Sequence, residues 1–186
     1  MQLETDRLIL REFAADDWRD VHVYTSDPLV VQYMSFGPYT PAQAQEWVNG
    51  CVSRAQDQPR RCYELAVVPR GKTGVIGDIT LELDQDQSLM GSFAYVLHRQ
   101  YWRRGYATEA MRALFNFGFD QLNLHRIYDA CDVRNLASAR VMEKLGMRRE
   151  GHVRERLWKD GTFHDEFQYA ILAREWPGKH TEQGQQ

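Results

Sequence analysis

Cysteine is scarce in this chain, and the three present, Cys51, Cys62 and Cys131, are odd in number, widely spaced and in no metal-ligand pattern. That excludes a disulfide framework and points to reduced thiols in a cytoplasmic protein. The six histidines form no HExxH or comparable pair, so no metal is expected. No apolar run approaches membrane-spanning length, and no cationic start leads into an apolar core, so neither membrane association nor export is expected. Nor is there an excess of positive charge: 23 Lys and Arg stand against 26 Asp and Glu, a formal charge of -3, which argues against a general nucleic-acid binder. A P-loop is missing too, since Gly71-Lys72-Thr73 would need a glycine where Ala66 stands. That stretch reads as a hairpin turn.

What is there is an ordinary globular composition, 43% hydrophobic and 26% charged over 186 residues, enough for one domain with a substantial core. Residues 92–97 form a short apolar and aromatic run ending at His98, as a buried strand would. From Ala107 on, apolar residues recur at Ala110, Met111, Leu114, Phe115 and Gly118, the spacing of one helix face. The reading is strand, tight turn at Gly105, helix. Free N–H groups in a first helical turn carry partial positive charge, and Arg103 and Arg104 add two full charges. Together they suit a pyrophosphate.

The flanking chain reads in order. A strand through Leu8 and Leu10 precedes a helix carrying Trp18, Val21 and Tyr24. Pro28 admits a short second helix with Val30, Val31, Tyr33 and Met34, and Thr40-Pro41 starts a third whose buried face is Ala44, Trp47, Val48 and Cys51. Strands are expected over 63–68 and 75–83, with Gly77 marking a bend or a close backbone approach. Residues 126–133 alternate as a strand, Asn135 caps the next helix, Gly146 closes it, and a hairpin turns at residues 159–161. The polar tail 177–186 has nothing to bury and is expected to be disordered.

Tyr101-Trp102-Arg103-Arg104-Gly105-Tyr106-Ala107-Thr108-Glu109-Ala110 resembles the acetyl-CoA signature of the GNAT N-acetyltransferases, in their RimJ/RimL branch. The resemblance extends from Glu4-Thr5-Asp6-Arg7-Leu8, through Asn135, Ser138, Met142 and Gly146-Met147, to Asp165 and Tyr169. It implies the GNAT fold: an α/β (α+β) domain over 1–176 with a mixed, mostly antiparallel central sheet, a splayed strand pair and flanking helices. It also implies acetyl-CoA as co-substrate, with the diphosphate on the N–H groups of Arg103, Arg104, Gly105, Tyr106, Ala107 and Thr108, and pantetheine along the backbone of Tyr95, Val96 and Leu97. Asn135 would hydrogen-bond the pantetheine and Ser138 would lie near the sulfur.

The sequence departs from the wider family at two places. Met142 stands where many members carry a tyrosine general acid, which makes Ser138 the candidate donor to sulfur. Trp102 replaces a glutamine or arginine that donates to phosphate. For the base, Glu82 comes first, then Asp165 and His164, and none is needed if the amine arrives neutral. The implied acceptor is a protein N-terminal amine, with amino acids, polyamines and antibiotics as alternatives, and a non-catalytic acyl-CoA-binding module as the reading from another class. Homodimers are common in the branch, and the aromatic closing hairpin could supply an interface.

Overall fold

The computed structural model describes residues 1–85, 89–159 and 161–177. Among these residues it is a mixed, mostly antiparallel eight-stranded sheet with four α-helices, the fold class expected. The strands are β1 (Gln2–Glu4), β2 (Leu8–Arg11), β3 (Cys62–Pro69), β4 (Gly77–Leu83), β5 (Met90–Leu97), β6 (Arg126–Asp132), β7 (Arg148–Lys159) and β8 (Thr162–Leu172), in spatial order β1-β2-β3-β4-β5-β6-β8-β7. The helices are α1 (Trp18–Thr25), α2 (Pro41–Arg54), α3 (Tyr106–Asn116) and α4 (Leu136–Lys144). The β5–β6 pair is parallel, and its ladder covers Met90–Ser92 against Arg126–Tyr128, the first three residues of each strand.

The chain groups into two compact units. The first is Met1–Glu82 with Ala94–Leu114; the second is Leu83–Phe93 with the described residues from Phe115 on. In the first, β3 and β4 pair antiparallel with Ala66 opposite Asp78 and Glu64 opposite Thr80. Side chains of a strand alternate between faces, so those four share one face. α2 begins as its sequence dictates: the Thr40 hydroxyl accepts from the Gln43 N–H, the Gln43 side chain accepts from the Thr40 N–H, and Pro41 occupies the first helical position. Ala44, Val48 and Cys51 are buried, while Trp47 is only half-buried and meets Phe13 edge-on at 5.2 Å.

Residues 30–34 do not form the expected short helix. The Asp27 carbonyl accepts from the Val30 and Val31 N–H groups and the Val31 carbonyl from the Met34 N–H, separate turns that do not join into a helix.

In the second unit β6, β8 and β7 form an antiparallel sheet, with register shifts in β7 between Arg149 and Gly151 and between Val153 and Leu157. Phe115, Phe119 and Trp176 pack together with the Trp176 indole donating to Asn116. After α3 the chain widens into a π-helical turn at Phe117–Gln121, which the spacing had not signalled. The expectations for the tail at 178–186 and for Asp160 in the hairpin turn lie outside the described residues.

Candidate functional site

The turn before α3 is built by two residues with left-handed backbone, Arg103 at φ 59° and Gly105 at φ 82°. Glycine takes that conformation at little cost, whereas an L side chain is strained there. The first helical bond runs from the Glu109 N–H to the Gly105 carbonyl, so the N–H groups of Tyr106, Ala107 and Thr108 have no intrahelical acceptor. Arg103 and Arg104 are exposed beside them, and the Arg104 guanidinium lies 5.8 Å from the Tyr101 ring centroid. Donors without acceptors, a positive helix end and two cations fit a diphosphate.

A brace the sequence did not reveal holds this turn. Arg7, on the way into β2, donates from Nε to Glu109 Oε2 at 2.6 Å and from Nη1 to the Arg104 carbonyl at 2.9 Å, and its guanidinium covers the Tyr106 ring at 4.6 Å. The Thr5 hydroxyl and the Arg7 N–H both donate to Glu109 Oε1, at 2.6 and 3.0 Å. Partial burial pushes the Glu109 carboxyl up, but these bonds from Thr5 and Arg7 outweigh it and leave the group below the usual carboxylate range. The signal in the sequence was Thr5-Asp6-Arg7 together with Glu109, legible only as a family pattern.

Two other local features differ from a bare cationic patch. Arg99 is drawn aside to Asp27, with Nε 2.8 Å from Oδ2. The Trp102 indole donates to the Leu97 carbonyl at 2.7 Å, so this side chain ties the turn to the end of β5. Tyr95, Val96 and Leu97 occupy that end, past the ladder with β6. Gly77 is the close approach its position in β4 suggested: a Cβ there would lie 2.2 Å from the Val96 carbonyl oxygen and 2.9 Å from the Leu97 Cα.

Also in the first unit is a cavity of about 120 Å³. Phe36, Tyr39 and Trp47 wall it, Glu64 and Asp78 supply carboxylates, and Ala94 and Val96 of β5 complete it. Glu64 is held in a bidentate ion pair by Arg54, Nε to Oε2 at 2.9 Å and Nη2 to Oε1 at 2.7 Å. Asp78 is 5% exposed and accepts from the Tyr24 hydroxyl on Oδ1 at 2.8 Å. Burial pushes the Asp78 carboxyl up to about 7, against the pull of the Tyr24 hydrogen bond and with a further push from the Glu64 charge. A larger hollow, of about 520 Å³, runs along His152, Val153, Arg154 and Glu155, but four consecutive residues give a ligand only one wall.

Glu82 lies on the same face of β4 as Asp78, is exposed and stands opposite Cys62. It does not line the cavity. Asn135 and Ser138 belong to the second unit, where Asn135 Oδ1 accepts from the Ser138 N–H at 3.1 Å and caps α4. In that unit Asp165 is held by the Glu155 N–H at 2.9 Å and by His152 Nε2 at 2.6 Å, which together keep its carboxyl below the usual range. His164, on the same strand, is half-buried. Among the described residues no cluster of three or more His, Cys, Asp or Glu could hold a metal ion, and no helix is long and apolar enough to cross a membrane.

Residues 7–148 match the model of the acetyltransferase (GNAT) domain. The uncharacterized N-acetyltransferase YnaD of Bacillus subtilis (strain 168) is 36% identical over 180 residues, 95% of this chain and 99% of that protein. The crystal structure of a GNAT-family acetyltransferase from Bacillus anthracis matches with a TM-score of 0.83 at 33% identity, covering 94% of this chain and 100% of that one. Spermidine N-acetyltransferase from Vibrio cholerae, solved in complex with CoA and spermine, has the same fold at a TM-score of 0.78 and 22% identity, over 92% of this chain and 98% of that one.

Proposed function

The chain belongs to the GNAT acetyltransferase family, and from that premise we propose that it moves the acetyl group of acetyl-CoA onto a primary amine by direct attack in a ternary complex. The observation that carries this reading is the turn before α3, with N–H groups of Tyr106, Ala107 and Thr108 left without helical acceptors beside Arg103 and Arg104. The co-substrate supplies an acyl group activated as a thioester. The protein's own part is to bind the diphosphate on that turn and to align pantetheine along Tyr95, Val96 and Leu97 by backbone hydrogen bonds. An N–H of Val96 or Leu97 would stabilise negative charge on the reacting carbonyl oxygen. By resemblance to the RimJ/RimL branch, Asn135 serves the pantetheine and Ser138 donates to the sulfur. Holding the two substrates together supplies much of the rate.

A protein N-terminal amine is the acceptor the branch implies. A small cationic amine is the second reading, favoured by the Asp78 carboxylate and the aromatic walls of the cavity. Release of free CoA thiol is the test, run with peptide N-termini, amino acids, polyamines and aminoglycosides beside the Arg104→Glu and Ser138→Ala variants. We expect the first variant to lose acetyl-CoA affinity and the second mainly turnover. Tight acetyl-CoA binding with no thiol released by any amine would make the chain an acyl-CoA-binding module instead.

A further inference from the structure

Resting on the acetyltransferase reading, we propose that the cavity beside β5 receives the acceptor's ammonium group and that Asp78 takes its proton, with Tyr24 as the residue that positions Asp78. Three observations converge on this carboxylate. Asp78 follows Gly77, and a Cβ at Gly77 would strike the Val96 carbonyl at 2.2 Å. The glycine thus lets the β4 backbone come up to the stretch of β5 assigned to the pantetheine, and Asp78 and Val96 line the same cavity.

Of the two carboxylates in the cavity, Glu64 is neutralised by Arg54. Asp78 has no recorded basic partner among the described residues, and its recorded hydrogen bond, from Tyr24, falls on Oδ1. Oδ2 is left for the cavity. An ammonium there would meet one uncompensated negative charge in a hollow walled by the rings of Phe36, Tyr39 and Trp47, which help to exclude water.

The ammonium N–H bond breaks and the proton goes to Asp78 Oδ2, leaving a neutral amine with its electron pair. The amine nitrogen forms the bond to the thioester carbonyl carbon of acetyl-CoA, the carbon–sulfur bond breaks, and the sulfur leaves with its electron pair and gains the second nitrogen proton. Asp78 then returns its proton to water. A carboxyl that burial has pushed up to about 7 is matched to this task near neutral pH. The groups facing it are Tyr24 from α1, Cys51 from α2, Tyr39 from the segment before α2 and Glu64 from β3.

Three readings test the proposal. First, kcat/KM against pH is measured with the most active amine of the panel. The native enzyme should show an acidic limb near pH 7. Asp78→Asn should lose roughly 10²- to 10⁴-fold in turnover together with that limb, while its acetyl-CoA affinity is kept. Tyr24→Phe removes a donor that stabilises the charged carboxylate, so the limb should move up by about one pH unit. Second, ¹³C NMR of the carboxyl, in the native protein without acetyl-CoA, should show Asp78 titrating near 7. Third, propylamine hydrochloride at pH 8.5, again without acetyl-CoA, should raise the melting temperature of the native protein and not of Asp78→Asn.

An unchanged limb in Asp78→Asn, or an Asp78 carboxyl titrating near 4, would overturn the assignment. Should Asp78→Asn fail to fold, the Tyr24→Phe limb and the NMR titration decide. If no amine is turned over, the acetyltransferase reading fails, and the NMR and propylamine results still judge the ammonium site.

Discussion

A buried carboxyl that binds its proton too tightly must weaken the fold as pH rises, and Asp78 makes that effect measurable. Below its ordinary value of 3.8 the group is protonated in folded and unfolded chains alike, and the fold carries no penalty. Between 3.8 and about 7 the unfolded chain releases the proton and the folded one keeps it, so stability falls with pH, levelling off once the folded group has ionised too. At roughly 1.4 kcal/mol for each pH unit, the rise amounts to about 4 kcal/mol.

Asparagine at this position can still accept from the Tyr24 hydroxyl but never ionises. Asp78→Asn should therefore gain on the native chain by about 4 kcal/mol between pH 3.5 and pH 8.5. Asp129 of the second unit, half-buried, is also pushed up to about 7, by desolvation first. It bends the absolute curves of both proteins alike and cancels in their difference. Urea unfolding followed by tryptophan fluorescence at half-unit pH steps gives the two curves. A constant difference across the range would refute the reasoning, because it would mean that Asp78 ionises normally in the folded state.

Two further substitutions address the frame around the site. Glu109→Gln replaces a carboxylate that accepts from Thr5 and Arg7, so the turn loosens; we expect a loss of about 1 kcal/mol in unfolding free energy, the exposed Arg7 partner limiting the value, and a several-fold weaker acetyl-CoA Kd by calorimetry. Gly77→Ala drives a methyl into the β5 backbone and should cost about 3 kcal/mol or more, seen as a marked drop in melting temperature.

Features written in neighbouring residues could be read from the sequence. Thr40, Pro41 and Gln43 specify the start of α2 among themselves, Asn135 caps α4 three residues ahead of its partner, and Gly77 announced a close approach before its neighbour was known. The turn before α3 is local in the same way, since Gly105 and the first turn of α3 are contiguous. The brace and the cavity are not local. Arg7 and Glu109 are far apart in the chain, and Tyr24, Glu64 and Asp78 meet only through the β3–β4 register and the packing of α1. Alternation puts Asp78 and Glu82 on one face of β4, but it carries no information about depth, and only the structure shows Asp78 buried and Glu82 exposed. Residues 30–34 have helical apolar spacing, but their backbone closes only separate turns on the Asp27 and Val31 carbonyls.

The turn before α3 is the proposed seat of the diphosphate, and titrating the ¹⁵N-labelled protein with CoA tests that directly. The amide signals of Arg103, Arg104, Gly105, Tyr106, Ala107 and Thr108 should move furthest and saturate together. Saturable shifts centred elsewhere in the chain, with these six unmoved, would contradict it.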